Sequence, residues 1–294
     1  MKKIIFIAIM MILIVACEEE QKTAKPRFMG GTQGLVFEFE DFGVIEEGVS
    51  SVYSTESFPV VVNVKNKGEY SVNPGELIVR IKGISLQDFQ GILPEMRNDK
   101  KIEGISEFNI GGGETQLNFA PGKARYAVPV VGVYQPFEIY ADAIYNYQTQ
   151  VVMPQICFKE NLKDTSVCEV KATKEVYTSG APLTIDSVEE DTAGQGIIAL
   201  KIVVRNAGSG KVTSPNIEFD DRYNKFAFTS PQGFQCISGG SDNEAKFIEG
   251  KAEIRCKLKE PLQKDAAYVK PLDMTLSYKY KEQINKPIRI LSPR

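Results

Sequence analysis

Apolar and polar residues alternate along most of this chain with the two-residue period of half-buried β-strands. The clearest alternating apolar positions are Phe58, Val60, Val62 and Val64, followed by Leu77, Val79 and Ile81. Turn-forming runs separate these strands, namely Asn66-Lys67-Gly68 and Asn73-Pro74-Gly75. No long stretch carries a helical stripe, and only one short helical turn is predicted, between Ser85 and Ile92. The pattern therefore predicts an all-β fold.

The alternating pattern occurs twice. A shift of 140 residues places Phe58, Val60, Val62, Val64, Asn66 and Gly68 on Ile198, Leu200, Ile202, Val204, Asn206 and Gly208. A shift of 133 residues places Ile139, Ala141, Ala143, Tyr145 and Tyr147 on Leu272, Met274, Leu276, Tyr278 and Tyr280. We expect two tandem antiparallel β-sandwich domains, over residues 34–158 and 159–294, each with about seven short strands.

The start of the chain follows a different pattern. Met1-Lys2-Lys3 precedes an unbroken apolar run from Ile4 to Ala16, and Cys17 follows with three glutamates. This run has the length of a secretory signal and is too short to cross a bilayer as a helix. The residues Ile14-Val15-Ala16-Cys17 resemble the lipobox of prokaryotic lipoproteins. The resemblance implies a signal peptide over residues 1–16, lipidation of Cys17, and a flexible tether over residues 17–33. A signal peptide cut near Ala16 and an uncleaved anchor are the alternatives.

The net charge and the absence of histidine exclude several classes of partner and of catalytic site. The net charge is −3 and no basic block occurs, so nucleic acid is not expected as a partner. We expect membrane contact through the lipid anchor alone. The chain has no histidine, which removes the commonest zinc ligand and every Ser-His or Cys-His nucleophile pair. We therefore expect a non-enzymatic protein without a metal or a cofactor.

The cysteine count of an exported chain indicates two disulfides. Apart from Cys17, the chain contains four cysteines: Cys157, Cys168, Cys236 and Cys256. An even set in an exported chain is typical of disulfides. Three pairings are possible, and closeness in sequence favours the pairs Cys157–Cys168 and Cys236–Cys256. Free buried thiols are the alternative.

The segment Val60–Gly68, together with Ile202–Gly208 in the second copy, resembles the strand-and-turn signature of CARDB-type and related immunoglobulin-like domains of prokaryotic surface proteins. The resemblance implies an Ig-like β-sandwich that acts as an adhesive or spacer module, and it brings no catalytic residues. The Cys-Trp-Cys core of immunoglobulins is missing, because the chain has no tryptophan.

Four short features could carry chemistry, and each also has a structural explanation. Ser241–Glu244 could bind calcium, but it lacks spaced ligands and fits a hairpin tip better. Gly111–Gly113 resembles a phosphate loop, but an alternating strand follows it. The dense tyrosines around Tyr145 and Tyr147 could form a contact surface, although their repetition favours a core role. Asp220 and Asp221 could be a hydrolytic carboxylate pair, but adjacent strand residues point to opposite faces.

Two segments are the expected partner-binding regions, because long loops with apolar content often carry function. They are residues 85–113 and their counterpart 223–240, and the candidate binding residues are Phe89, Ile92, Phe228 and Phe234. We expect a lipid-anchored protein on the outer face of the cytoplasmic membrane or in the envelope, which binds another protein or a surface polymer or acts as a spacer. A structural subunit of an envelope assembly and a glycan hydrolase are the alternatives.

Overall fold

The computed structural model describes residues 27–163, 166–220 and 222–293. Within these ranges the chain is all-β, as predicted, and it forms strands and no α-helix. It follows that none of the described residues belongs to a helix long and apolar enough to cross a membrane. The predicted signal peptide 1–16, Cys17 and residues 18–26 of the predicted tether lie outside the described residues.

The described residues of the first half form eleven strands. They are β1 (Leu35–Phe39), β2 (Val44–Glu46), β3 (Val49–Tyr53), β4 (Ser57–Phe58), β5 (Val61–Asn66), β6 (Leu77–Lys82), β7 (Phe89–Gln90), β8 (Glu95–Arg97), β9 (Glu114–Asn118), β10 (Ala124–Tyr126) and β11 (Tyr134–Lys159). The alternating valines of β5 and the apolar positions of β6 are buried, as their period of two predicts.

The second half forms eleven further strands in the described residues. They are β12 (Ala172–Thr173), β13 (Tyr177–Thr178), β14 (Leu183–Gly194), β15 (Ile197–Asn206), β16 (Lys211–Thr213), β17 (Lys225–Phe228), β18 (Phe234–Ser238), β19 (Ser241–Asp242), β20 (Glu244–Lys246), β21 (Lys251–Leu258) and β22 (Ala267–Leu291).

The two longest strands, β11 and β22, join the halves. They pair antiparallel along their whole length, from Tyr134 opposite Leu291 to Lys159 opposite Ala267, with one bulge after Met153. The sheet built on them runs in the order β2-β3-β22-β11-β6-β8, and β13, β16, β17 and β20 attach to it. This shared sheet is the largest layer of the fold.

An approximate two-fold axis crosses the middle of this strand pair. Tyr145 lies opposite Tyr280, and Tyr147 lies opposite Tyr278. The 133-residue shift of the repeat exchanges these two pairs. It also carries Asn146 onto its own partner in the ladder, Lys279, so the axis passes through that pair. Because the axis lies at the middle of β11 and β22, the two copies of the repeat meet there.

Smaller sheets cover one face of the shared sheet. The first half contributes the sheets β1-β5-β9 and β4-β10-β7, and the second half contributes β12-β14-β15-β21-β18-β19. Phe37 of β1 packs on Tyr145, and Leu183 of β14 hydrogen bonds with Thr149 and Tyr278. Because both halves cover the same face, the buried apolar residues form one continuous core that includes both ends of the described chain.

The structure differs from the expectations in three respects. Each long strand contacts both halves. Phe158 at the end of β11 packs on Phe234 of the second half. The end of β22 pairs with β3 of the first half. The pairing of β22 with β3 is parallel, so the sandwich is not purely antiparallel. The predicted helical turn is present only at its start, where the backbone N–H groups of Asp88 and Phe89 both donate to the Ser85 carbonyl. It is wrong at Phe89–Gln90, which forms β7 and pairs with β10. The division into Ig-like domains at 158/159 stays a prediction.

Candidate functional site

Four tyrosines occupy the buried face of the shared sheet around the two-fold axis. Tyr145, Tyr147, Tyr278 and Tyr280 are all fully buried, and their rings pack against one another. Burial raises the pKa of Tyr280 to about 12 and raises the pKa of the other three as well. Their prediction as core residues is confirmed, and they do not form a contact surface.

The repeated Asn-x-Gly turns attach to these tyrosines in the same way in both halves. The Tyr147 hydroxyl donates to Asn66 Oδ1 at 2.9 Å, and the Tyr280 hydroxyl donates to Asn206 Oδ1 at 3.1 Å. Each asparagine also accepts the amide N–H two residues further on. A Cβ on Gly68 would lie 2.1 Å from the Tyr147 hydroxyl oxygen, so this position requires glycine. The shared signature of the repeat therefore serves packing at the axis.

Glu69 ties three chain segments together beside this cluster. Its carboxylate accepts hydrogen bonds from the backbone N–H of Met29 at 3.0 Å and of Gly30 at 3.2 Å. It also accepts one from Gly180, in the connection between the halves. The beginning of the described chain is thereby held at the middle of the molecule.

The four predicted binding residues do not form a surface. Phe89, Ile92, Phe228 and Phe234 are all buried, with Phe89 fully enclosed. Phe89 packs against several rings, including that of Phe58. These side chains fill the core because they lie on short strands or beside them, rather than on protruding loops. The structure therefore corrects this prediction, and a partner cannot contact these four residues in this fold.

The disulfides follow the pairing that the sequence favours. Cys157 at the end of β11 is bonded to Cys168 in the connection to the second half, and Cys236 of β18 is bonded to Cys256 directly opposite on β21. Disulfides persist in oxidising compartments. The folded part of the chain therefore belongs to an extracytoplasmic environment.

The remaining sequence candidates lie on turns. Ser241 and Asp242 form β19 after a two-residue glycine turn, which agrees with a hairpin tip. Gly111–Gly113 leads into β9, so no helix follows to form a phosphate site. Arg222 holds Asp220 by hydrogen bonds and lowers its pKa to about 2, whereas Asp221 lies outside the described residues. Among the described residues no group of three or more acidic or cysteine side chains could hold a metal ion.

One open groove lies on the outer sheet of the second half. Its volume is about 700 Å³, and charged side chains line much of it. Lys251 pairs with Asp186 at 2.8 Å, and Lys225 pairs with Glu244 at 2.7 Å. Hydrogen bonding by Lys251 lowers the pKa of Asp186. Because these charges neutralise one another, the groove suits weak polar contact better than acid–base chemistry.

Four strongly exposed apolar side chains lie away from this groove, in loops that the sequence reasoning did not single out for their exposure. Phe108 is 97% exposed and Ile110 is 74% exposed, both on the loop before β9. Val131 is 88% exposed and Val133 is 79% exposed, in the loop before β11. The sequence does carry a signal for this exposure. Glycine and proline lie close to these residues and interrupt the strand pattern, so the apolar residues there fall outside the alternation.

Comparisons with known proteins give little further guidance. No protein-family description matches this chain, and no curated protein matches its sequence. Among solved structures the chain is similar to the secreted serine protease VesC from Vibrio cholerae, with 11% sequence identity over 84% of this chain and 50% of that chain. The chain thus spans about half the length of that protease. The TM-score is 0.20, which is too low to support a conclusion about fold or activity.

Proposed function

We propose that this chain is a membrane-anchored extracytoplasmic lipoprotein that acts as a non-enzymatic binding, adhesion or spacer module. The observation that carries the proposal is the use of its cysteines. Four of the five are bonded in pairs within the core, and the fifth, Cys17, follows the apolar run at the position of a lipobox cysteine. Such a chain is exported, folds in an oxidising compartment and is held at a membrane by its lipid.

The chemistry of the titratable groups supports a non-enzymatic role. Groups with strongly perturbed pKa values often mark catalytic sites when they lie in a cleft. Here the largest perturbations belong to the buried tyrosines and to half-buried Glu282, which pack within the core. The chain has no histidine, so a Ser-His-Asp triad cannot form. A hydrolase that uses a carboxylate pair is the remaining enzymatic alternative.

The exposed apolar loops support a role in contact with a partner, which we propose is a protein or a surface polymer. The CARDB-like signature, if it reflects common ancestry, agrees with such a module. A structural subunit of an envelope assembly would use the same surfaces. A pull-down that recovers one partner at a fixed stoichiometry would favour the assembly, whereas weak binding to several surface molecules would favour adhesion.

The anchor is tested by intact mass and membrane partition in a host that processes lipoproteins, with the wild-type chain beside Cys17→Ser. We expect the wild-type protein to begin at residue 17, to carry added acyl mass and to partition into the membrane. We expect the variant to lose both the acyl mass and the partition. A wild-type protein without acyl mass would refute the anchor. Turnover of a glycan substrate by the purified protein would refute the non-enzymatic role.

A further inference from the structure

The described chain enters the fold at the middle of its longest strands. Arg27 lies 3.3 Å from Glu107, between a guanidinium nitrogen and a carboxylate oxygen, and the Glu69 carboxylate holds the next residues. A Cβ on Gly34 would lie 2.9 Å from the hydroxyl of Tyr145, next to the two-fold axis. The N-terminal segment therefore meets the molecule at its centre, with one half on each side.

The exposed loop with Phe108 and Ile110 lies at this entry point, because Glu107 belongs to the same loop. Its base is held by backbone hydrogen bonds from Ile105 to Gly68 and from Gly113 to Glu103. A short bridge between Ser106 and Asn109 closes its tip. The loop is thus a defined structure that presents two apolar side chains to the outside. A rigid apolar tip of this kind suits an apolar surface.

The length of chain before Arg27 limits the distance of this loop from the lipid. Ten residue steps lead from Cys17 to Arg27, and a fully extended chain of that length spans at most about 36 Å. The end of the strand pair at Tyr134 is twelve residues from Asn146, which is about 40 Å along an antiparallel strand. A lipid on Cys17 therefore limits the height of the centre above the membrane to slightly less than half the length of the strand pair.

We propose that Phe108 and Ile110 insert into the surface of the phospholipid bilayer, so that β11 and β22 lie along the membrane rather than upright on it. This inference rests on the proposed lipid anchor and deepens it. The lipid fixes one point of the chain at the membrane, and the contact of the loop fixes the orientation of the fold. Arg27 offsets the charge of Glu107 beside the inserted side chains. In this orientation the two halves extend sideways from the anchor, and the protein does not act as an upright spacer.

The absence of tryptophan from the chain permits a direct test with a single reporter. Phe108→Trp places the reporter at the loop, and Val131→Trp places it at an equally exposed apolar position at the far end of the first half. The chain from Cys17 onward is coupled through that thiol to a maleimide lipid, because the other four cysteines are bonded. Vesicles of phosphatidylcholine with and without brominated acyl chains then report contact with the bilayer.

We expect the emission of Phe108→Trp to shift to the blue and to fall about twofold on brominated vesicles, since an interfacial side chain reaches about 5–10 Å into the headgroup and acyl boundary. We expect Val131→Trp to show neither change. Far-UV circular dichroism checks that both variants fold. The double variant Phe108→Trp, Ile110→Ser keeps the reporter and should lose part of the quenching, because it removes the second inserted side chain.

Three results would overturn the inference. Quenching of Val131→Trp alone would mean that the molecule stands on its end. Quenching of neither reporter would mean that the loop does not touch the bilayer. A blue shift at Phe108→Trp without quenching would mean that the loop docks on protein, such as a second copy. The chemical coupling makes this test independent of lipidation in the cell, so its failure and failure of the proposed anchor are distinguishable.

Discussion

We predict that Glu282 makes the stability of this protein depend on pH near neutrality. It lies on β22 opposite Ala143, and no hydrogen bond or ion pair reaches its carboxylate within the part of the chain that the structure describes. Burial raises its pKa to about 7. The equivalent residue in the first copy is Thr149, whose hydroxyl donates to the Leu183 carbonyl at 2.8 Å. A neutral side chain therefore suits this position better than a carboxylate.

The change in pKa gives the sign and size of the effect. The ordinary pKa of the carboxyl is 4.5, so between pH 4.5 and 7 the folded protein binds more protons at Glu282 than the unfolded chain does. The stabilisation by the protonated form is complete below pH 4.5 and is lost as the pH rises through 7. The full shift corresponds to about 3 kcal/mol. Because the carboxyl is half-buried and keeps some water, we expect a loss of about 1–3 kcal/mol.

Glu282→Gln removes this titration and leaves the other groups in place. We expect the free energy of unfolding of the variant, relative to that of the wild type, to rise by about 1–3 kcal/mol between pH 4.5 and pH 8. Urea unfolding followed by far-UV circular dichroism at intervals across that range measures the difference. Exposed Glu260→Gln is the matched control and should follow the wild-type curve. Parallel curves for the wild type and Glu282→Gln would refute the reasoning.

Three further predictions concern stability and are measured by urea unfolding at pH 7. Gly68→Ala should lose more than about 3 kcal/mol, since its Cβ would clash with the Tyr147 hydroxyl, and a loss under about 1 kcal/mol would contradict the packing at the axis. Lys174→Met should lose about 3–5 kcal/mol, because it removes the cation that pairs with the buried carboxylate of Glu190 and leaves that carboxylate only the hydrogen bonds from the Cys157 backbone N–H among those described. Lys201→Met, in an exposed ion pair, should lose under about 1 kcal/mol, and equal losses would show that burial does not matter there. Reduction of either disulfide should cost about 3 kcal/mol by loop closure, and an unchanged midpoint in reducing agent would oppose a structural role.

Much of the local structure follows from the sequence. The period of two predicts buried faces at Val62 and Val79, and both residues are fully enclosed in strands. The repeated Asn-x-Gly turns predict equivalent positions, and Asn66 and Asn206 make the same contacts with a tyrosine. The pairing of cysteines that are close in sequence is also found. These features depend on neighbouring residues, because alternation, turn formation and short disulfide loops are local properties.

The candidate binding residues show where that reasoning stops. Phe89 and Phe108 have the same side chain and lie in the same predicted partner-binding segment, yet one is enclosed by the core and the other is 97% exposed. The difference arises because residues 89–90 pair with β10, whereas Phe108 lies on a loop that the backbone holds away from the core. A sequence pattern indicates which face of a strand is apolar, but not which distant segment covers it.

The sequence by itself determined the all-β class, the alternating strands around Val62 and Val79, the Asn-x-Gly turns and the repeat, and it favoured the observed cysteine pairs, because each depends on interactions within short stretches. Only the tertiary structure decided that β11 and β22 run side by side as one sheet, that both halves share a core, and that the chain enters at the centre. Those features arise from contacts between residues more than one hundred positions apart, such as Tyr145 with Tyr280. Their formation depends on the burial of both halves at once, which no local pattern encodes.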